Sequence, residues 1–163
     1  MARLDNVLTP GGVQRRNAII DAAARLFNEY GYHSASTTQI AERVGCAKAT
    51  VYHYFQKKPE ILFEIHDQWI EDLLRRVAAR PAELSPEDFL RGVFRDILLL
   101  METKSDHVRV FFEYYRELPG DLRAIAVAKR DRYEAIVLDR IERGIASGAL
   151  AAAHPRIAAF ALF

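Results

Sequence analysis

The sequence has very little cysteine and no signal for export. Cys46 is the only cysteine among 163 residues, which excludes an internal disulfide framework and a cysteine-rich zinc site. The first six residues contain no apolar stretch of the kind found in a secretory signal. The apolar run at residues 157–163 is too short to span a bilayer. We therefore expect a protein of the reducing cytoplasm that does not act in a membrane.

Strand signals are also absent. The sequence has no sustained period-two alternation and no Asn-Gly or Asp-Gly hairpin turn. Almost every segment instead carries apolar residues at the three- and four-residue spacing of an amphipathic helix. With 50% apolar and 28% charged residues, the composition is that of a globular chain. The sequence predicts an all-α protein.

The usual chemistry of an enzyme is missing as well. The five histidines are scattered, and there is no His-Glu-x-x-His helix or phosphate-binding loop. The adjacent pair His66 and Asp67 would not face each other on a helix. We therefore expect no catalytic residue, no metal site and no cofactor.

Basic residues are concentrated in the first third of the chain. Residues 1–58 carry eight basic and four acidic side chains, a net charge of +4, whereas residues 59–163 carry 15 basic and 18 acidic ones. A basic head on a slightly acidic body favours a polyanionic partner for the head.

The chain divides into three parts. Residues 1–13 are expected to form a loose arm, with a breaker at residues 9–12, and residues 14–58 a three-helix head. The first helix runs from residue 14 until Gly31 caps it. Ser36 and Gln39 form a capping box for a helix over residues 37–44. A turn at Gly45 leads to a third helix over residues 47–55, which completes a helix-turn-helix unit. Residues 59–163 form an antiparallel helical-bundle body.

The third helix carries the side chains of a nucleic-acid reader. An α-helix fits the major groove of DNA, where Lys48 can donate to guanine or to a phosphate, Thr50 can contact a thymine methyl and His53 can reach a base edge. The hydroxyl groups of Tyr52 and Tyr54 suit phosphate oxygens. Phosphate contacts are also expected from the start of the second helix and from the basic residues before the fourth; these are Thr37, Thr38, Lys57 and Lys58.

Residues 15–62 resemble the DNA-binding domain of the tetracycline-repressor (TetR) family. The signature consists of Ile20-Asp21-Ala22-Ala23, Leu26-Phe27, Gly31-Tyr32, Ser36-Thr37-Thr38-Gln39-Ile40-Ala41, Val44-Gly45, Lys48-Ala49-Thr50-Val51-Tyr52-His53-Tyr54-Phe55 and Lys58. The resemblance implies base contacts by Thr38, Lys48, Ala49, Thr50, Tyr52 and His53, and phosphate contacts by Thr37, Tyr54 and Lys58. One departure is Ala47, which stands where the family usually has a polar N-cap and costs the third helix about 1 kcal/mol.

The resemblance also implies a repressor that binds a palindromic operator as a homodimer and is released by a small apolar effector. The body is then the effector-binding and dimerisation domain. Residues expected to line a cavity between its helices are Trp69, Phe94, Met101, Phe111, Phe112, Tyr115 and Tyr133. The same side chains also fit a plain helical-bundle core.

Two runs, residues 110–118 and 129–134, resemble family members that sense acyl-CoA thioesters. Basic side chains in and beside these runs would then bind the phosphates of the ligand: Arg109, Arg116, Lys129, Arg130 and Arg132. The alternative for these residues is pairing along the helix with Glu113, Asp131 and Glu134. Residues 157–163 resemble the start of a dimerisation helix that is cut short. The competing function is an all-helical small-molecule-binding or adaptor protein that does not act on DNA.

Overall fold

A computed structural model of the chain describes residues 9–151 and Pro155. Seven α-helices and one 3-10 turn form this part of the chain, and no strand occurs in it, which confirms the all-α prediction. The helices are α1 (Pro10–Tyr30), α2 (Thr37–Val44), α3 (Lys48–Tyr54), α4 (Lys58–Ala78), α5 (Pro86–Thr103), α6 (Ser105–Glu113) and α7 (Gly120–Ala146), with the 3-10 turn at Tyr115–Glu117.

Helix α1 begins earlier than the sequence predicted, so the expected arm over residues 1–13 is too long. The Thr9 hydroxyl accepts a hydrogen bond from the Gly12 backbone at 3.2 Å, and Pro10 occupies the first turn. Proline is tolerated there because the first-turn N–H groups have no helical partner. The residues predicted to be a breaker are therefore a helix start. Residues 1–8 lie outside the described part.

The two helices of the helix-turn-helix follow the prediction closely. Ser36 and Gln39 form the capping box of α2, whose bounds are those predicted. Gly45 ends α2 in the left-handed conformation, at φ 69°, which glycine adopts without steric cost. Helix α3 is one residue shorter at each end than predicted, and its N-cap residue, Ala47, provides no side-chain hydrogen bond.

Two apolar clusters hold the molecule together, and α4 takes part in both. The head cluster contains Phe27 of α1, Ile40 of α2 and Val51 of α3, together with the first half of α4. The body cluster contains the second half of α4 with residues of α5, α6 and α7. Helices α6 and α7 also contribute to both clusters, through Val110 and Ala126 in the first and Val108 and Val137 in the second, but of these three helices α4 contributes the most buried residues to each.

The body is a bundle in which α7 packs against α4 and α5. Lys104 alone separates α5 from α6, with φ −132° and ψ 43°. Helix α6 ends at Glu113, and Tyr115 lies in the 3-10 turn that follows it. No helix in the described part is long and apolar enough to cross a membrane. The predicted dimerisation segment at residues 157–163 lies outside the described residues.

Candidate nucleic-acid interface and effector cavity

Helix α3 is held by two apolar anchors and presents its other face outward. Val51 and Phe55, just beyond the helix end, are buried in the head cluster. Lys48, Ala49, Tyr52 and His53 are exposed, whereas Thr50 and Tyr54 are half-buried. Of the residues expected on α2, Thr38 is exposed and Thr37 is half-buried. The anchors leave a continuous polar surface on the outer side of the helix-turn-helix.

Tyr52 connects the two helices of this surface. Its hydroxyl lies 3.2 Å from the hydroxyl of Thr37 at the start of α2, within hydrogen-bond distance. The Lys48 ammonium lies 5.8 Å from the centre of the Tyr52 ring, and no ion pair of Lys48 occurs among the described residues. A cation, a phenol and a threonine hydroxyl therefore meet at one place. Phosphate oxygens and the acceptor atoms of base edges can accept hydrogen bonds from cationic and hydroxyl donors of this kind.

Lys58 is placed differently from the other predicted DNA contacts. Its ammonium donates three hydrogen bonds to carbonyl oxygens between α1 and α2, those of Tyr32 at 2.6 Å, His33 at 3.2 Å and Ala35 at 2.9 Å. Burial lowers the pKa of Lys58, and its ammonium lies 4.5 Å from the centre of the Tyr32 ring. An ammonium has three N–H donors. All three are used within the head, so the structure gives Lys58 no free donor for a phosphate.

A cavity of about 570 Å³ opens between the helices of the body. Its walls come from α4, α5, α6, the 3-10 turn and α7 and are mainly apolar. They consist of His66, Trp69, Ile70, Leu73, Ile97, Met101, Phe111, Phe112, Tyr115, Ala126, Val127, Arg130 and Glu134. This volume lies within the range of small-molecule sites.

Five of the seven predicted effector residues line this cavity. They are Trp69, Met101, Phe111, Phe112 and Tyr115. Phe94 does not line it; it lies on the outer face of α5 and is half exposed. Tyr133 does not line it either, because it is 1% exposed inside the body cluster, and burial raises its pKa to about 12. Helical periodicity identifies apolar faces but does not separate a cavity wall from a packed core.

The sequence reasoning missed His66, which lies in the cavity wall at 1% exposure. Both ring nitrogens lack a hydrogen-bond partner among the described residues. Burial lowers its pKa from 6.5 to about 4, so the ring is neutral at neutral pH. In the sequence His66 stands among Ile65, Trp69 and Ile70 on the apolar side of α4, a pattern that does not show whether a cavity or a packed core lies beside it.

Several basic residues of the body pair with carboxylates, as helix spacing predicts. Arg109 lies 2.8 Å from Glu113, and Arg130 lies 3.3 Å from Glu134. Lys129 connects α7 to α4 through Asp67 and Glu71, at 2.5 and 2.6 Å. These pairs occupy three of the five basic groups that the acyl-CoA resemblance assigned to ligand phosphates. In the described part of the chain, no three His, Cys, Asp or Glu side chains are placed to hold a metal ion.

Comparison with known proteins agrees with this architecture. Residues 19–65 match the family model for bacterial regulatory proteins of the tetR family, and residues 83–163 match the tetracyclin repressor-like C-terminal domain. The transcriptional repressor Rv1474c of Mycobacterium tuberculosis is 30% identical over 66% of the chain, a match that spans 52% of that repressor's length.

Solved structures show the same fold. The TetR-family regulator PfmR of Thermus thermophilus superposes with a TM-score of 0.79 at 28% identity, covering 88% of this chain and 79% of PfmR. AibR, solved with isovaleryl coenzyme A and operator DNA, superposes with a TM-score of 0.76 at 29% identity, covering 91% of this chain and 81% of AibR.

The fold and the two family matches define a ligand-responsive, DNA-binding transcriptional regulator. The chain belongs to the TetR family of bacterial regulatory proteins. These matches do not favour the alternative function, an all-helical small-molecule-binding or adaptor protein that does not act on DNA.

Proposed function

We propose that the protein is a homodimeric repressor that binds a palindromic operator through α3 and leaves it when a small apolar effector fills the body cavity. The observation that carries this proposal is the position of α4 in the fold. The same helix packs under the DNA-binding surface at one end and forms a wall of the cavity at the other. A regulator of bacterial genes of this kind acts in the cytoplasm and needs no catalytic activity.

The DNA contacts in this proposal come from the exposed surface of α2 and α3. Base contacts are assigned to Thr38, Lys48, Ala49, Thr50, Tyr52 and His53. Phosphate contacts are assigned to Thr37 and Tyr54, because the start of α2 offers backbone N–H groups and hydroxyls to an anion. Lys58 receives a positioning role, since its ammonium holds the start of α4 against the connection between α1 and α2.

Two helices support coupling between the cavity and the head. Helix α4 contributes Ile61 to the head cluster and Leu73 to the cavity wall. Helix α6 contributes Phe111 to the cavity, and it meets α1 on another face, where the side-chain amide of Asn28 donates to the backbone and side-chain oxygens of Asp106 at 3.0 Å. A ligand that prefers a shifted position of either helix would change the spacing of the two heads in a dimer.

An acyl thioester is the effector class that we favour. The cavity walls suit an acyl chain, and AibR was solved with isovaleryl coenzyme A. The exposed Arg116 and Arg132 are available for the nucleotide part, which the cavity does not need to enclose. An unesterified apolar compound is the second candidate, because the apolar walls would hold it without any basic group.

Selection of bound duplexes from a random pool tests the DNA-binding part. A dimer with one α3 in each major groove should select two inverted half-sites whose centres lie about one or more helical turns apart. Selection of a single site, or of no sequence, would contradict the proposal.

The effector part is tested by fluorescence of Trp69, the only tryptophan of the chain, which lines the cavity. Titration with acyl-CoAs, free fatty acids and aromatic compounds should change this fluorescence and, for the effector class, release the selected duplex. Release of the duplex without a change in Trp69 fluorescence would indicate that the effector binds outside this cavity.

A further inference from the structure

His66 is an unusual wall residue for an apolar cavity. It is 1% exposed, lines the cavity, and has no hydrogen-bond partner at Nδ1 or Nε2 among the described residues. A buried polar group without a partner costs about 1–3 kcal/mol. A phenylalanine of similar size would avoid this cost, so the histidine needs another explanation.

The surroundings of His66 provide no partner for its ring nitrogens, which are themselves buried in the wall, so a ligand reaches them only if the ring turns toward the cavity. Phe111 lies 5.1 Å away between ring centres and provides an apolar contact only. The nearest residues along α4 toward the cavity are Trp69 and Ile70, which offer no acceptor. A neutral imidazole has one N–H donor and one acceptor nitrogen. The cavity wall also contains the Trp69 indole N–H, the Tyr115 hydroxyl, Arg130 and Glu134, so His66 is one of a few hydrogen-bonding groups within walls that are otherwise mainly apolar.

The charge of the site restricts the group that can bind there. Burial keeps the His66 ring neutral at neutral pH because it lowers the pKa to about 4, so the ring offers no positive charge to an anion. The charge of Arg130, the cation in the wall, is balanced by Glu134 and Asp131, although its Nε has no hydrogen-bond partner among the described residues. A carboxylate would lose its hydration without gaining a free counter-charge. An uncharged carbonyl loses less and can accept the imidazole N–H.

We infer that His66 is a specificity-determining residue of the cavity and selects effectors whose apolar body carries an uncharged carbonyl, as in an ester, ketone or thioester. The inference rests on the proposed effector role of the cavity. It adds which group of the ligand is recognised and which side chain recognises it.

A matched pair of probes tests this inference. S-decanoyl-N-acetylcysteamine carries a thioester carbonyl, and S-decyl-N-acetylcysteamine is the same molecule with a methylene in its place. Each is titrated into the full chain at about pH 7.5, with Trp69 fluorescence as the readout of cavity occupancy. The wild type should bind the thioester about tenfold more tightly than the thioether, the size of one net hydrogen bond.

Two variants separate hydrogen bonding from packing. His66→Phe keeps an aromatic ring and should bind both probes with equal affinity, with thioether binding equal to or tighter than in the wild type. His66→Gln keeps an uncharged donor and should retain most of the preference for the thioester. If His66→Phe fails to fold, His66→Leu replaces it as the variant without a donor, and Tyr115→Phe, which removes another hydroxyl of the wall, should keep the preference of the wild type.

Equal binding of the two probes by the wild type would overturn the role of His66 while leaving the cavity as the effector site. A preference that survives in His66→Phe would overturn it as well. Failure of both probes to alter Trp69 fluorescence would contradict the effector cavity itself, and the inference with it.

Discussion

Lys58 illustrates how one side chain fixes the geometry of the head. Its ammonium satisfies three backbone carbonyls at the connection between α1 and α2. Removal of the ammonium leaves these acceptors without their partner. We expect Lys58→Met to lower the free energy of unfolding by about 2 kcal/mol, measured by urea denaturation.

The matched control for this prediction is Lys48→Met, which removes the same charge at an exposed position. It should leave the free energy of unfolding within about 0.5 kcal/mol of the wild type but weaken DNA binding. Equal stability of Lys58→Met and Lys48→Met would show that the three hydrogen bonds of Lys58 contribute little.

Burial of His66 makes the stability of the folded protein decrease as the pH falls. The folded protein holds the pKa of His66 at about 4, below the ordinary value of 6.5 that applies in the unfolded chain. The unfolded state therefore binds more protons between these values, and the contribution of His66, fully present above pH 6.5, is lost as the pH falls toward 4. The loss amounts to about 3 kcal/mol at most.

Urea denaturation at several pH values checks this contribution against His66→Phe, which has no group to titrate. The wild type should lose stability more steeply than the variant between pH 6.5 and about pH 4. Parallel curves would mean that the ring is not neutral and buried in the folded protein.

Lys58 and His66 also mark the limit of inference from sequence at this scale. Lys58 was predicted to contact phosphate, because basic residues at a helix start suit that role. The three carbonyls that it binds come from residues 23 to 26 positions earlier and meet it only in the folded head. His66 was overlooked because an isolated histidine on an apolar face gives no sign of whether a cavity or a packed core lies beside it.

At the scale of elements, α3 is short and lacks a side-chain cap. Ala47 has extended backbone angles, φ −67° and ψ 146°, as an N-cap residue should, but no side-chain oxygen. Ala47→Ser supplies that oxygen to the backbone N–H groups of the first turn. We expect it to raise the free energy of unfolding by about 1 kcal/mol, seen as a higher midpoint in urea.

Ala49→Ser is the control for this change, since it introduces the same side chain inside the first turn of the helix, where it cannot act as the N-cap. It should be neutral or destabilising by about 0.5 kcal/mol. Stabilisation by both variants, or by neither, would contradict the capping explanation.

Local signals in the sequence predicted most elements correctly. The Ser36–Gln39 box and Gly45 gave the bounds of α2, because capping depends on residues only a few positions apart. The start of α1 was wrong, since Pro10 and two glycines suit a breaker as well as a first turn, and only the Thr9 cap decides between them.

At the scale of the whole molecule, α4 joins the two functional parts. Its first half is buried with α1 and α3, and its second half lines the cavity. The sequence predicted the helix-turn-helix from caps, periodicity and signature residues. It could not predict that Phe94 and Tyr133 lie away from the cavity, because that depends on how α5 and α7 pack against their neighbours.

The central claim is that the outer surface of α3 binds operator DNA. The most direct test is fluorescence anisotropy of the selected duplex with the wild type, Tyr52→Ala, and Tyr30→Ala, a control tyrosine exposed on α1. Tyr52→Ala should bind about tenfold to a hundredfold more weakly, while Tyr30→Ala binds like the wild type. Wild-type affinity in Tyr52→Ala would contradict the claim.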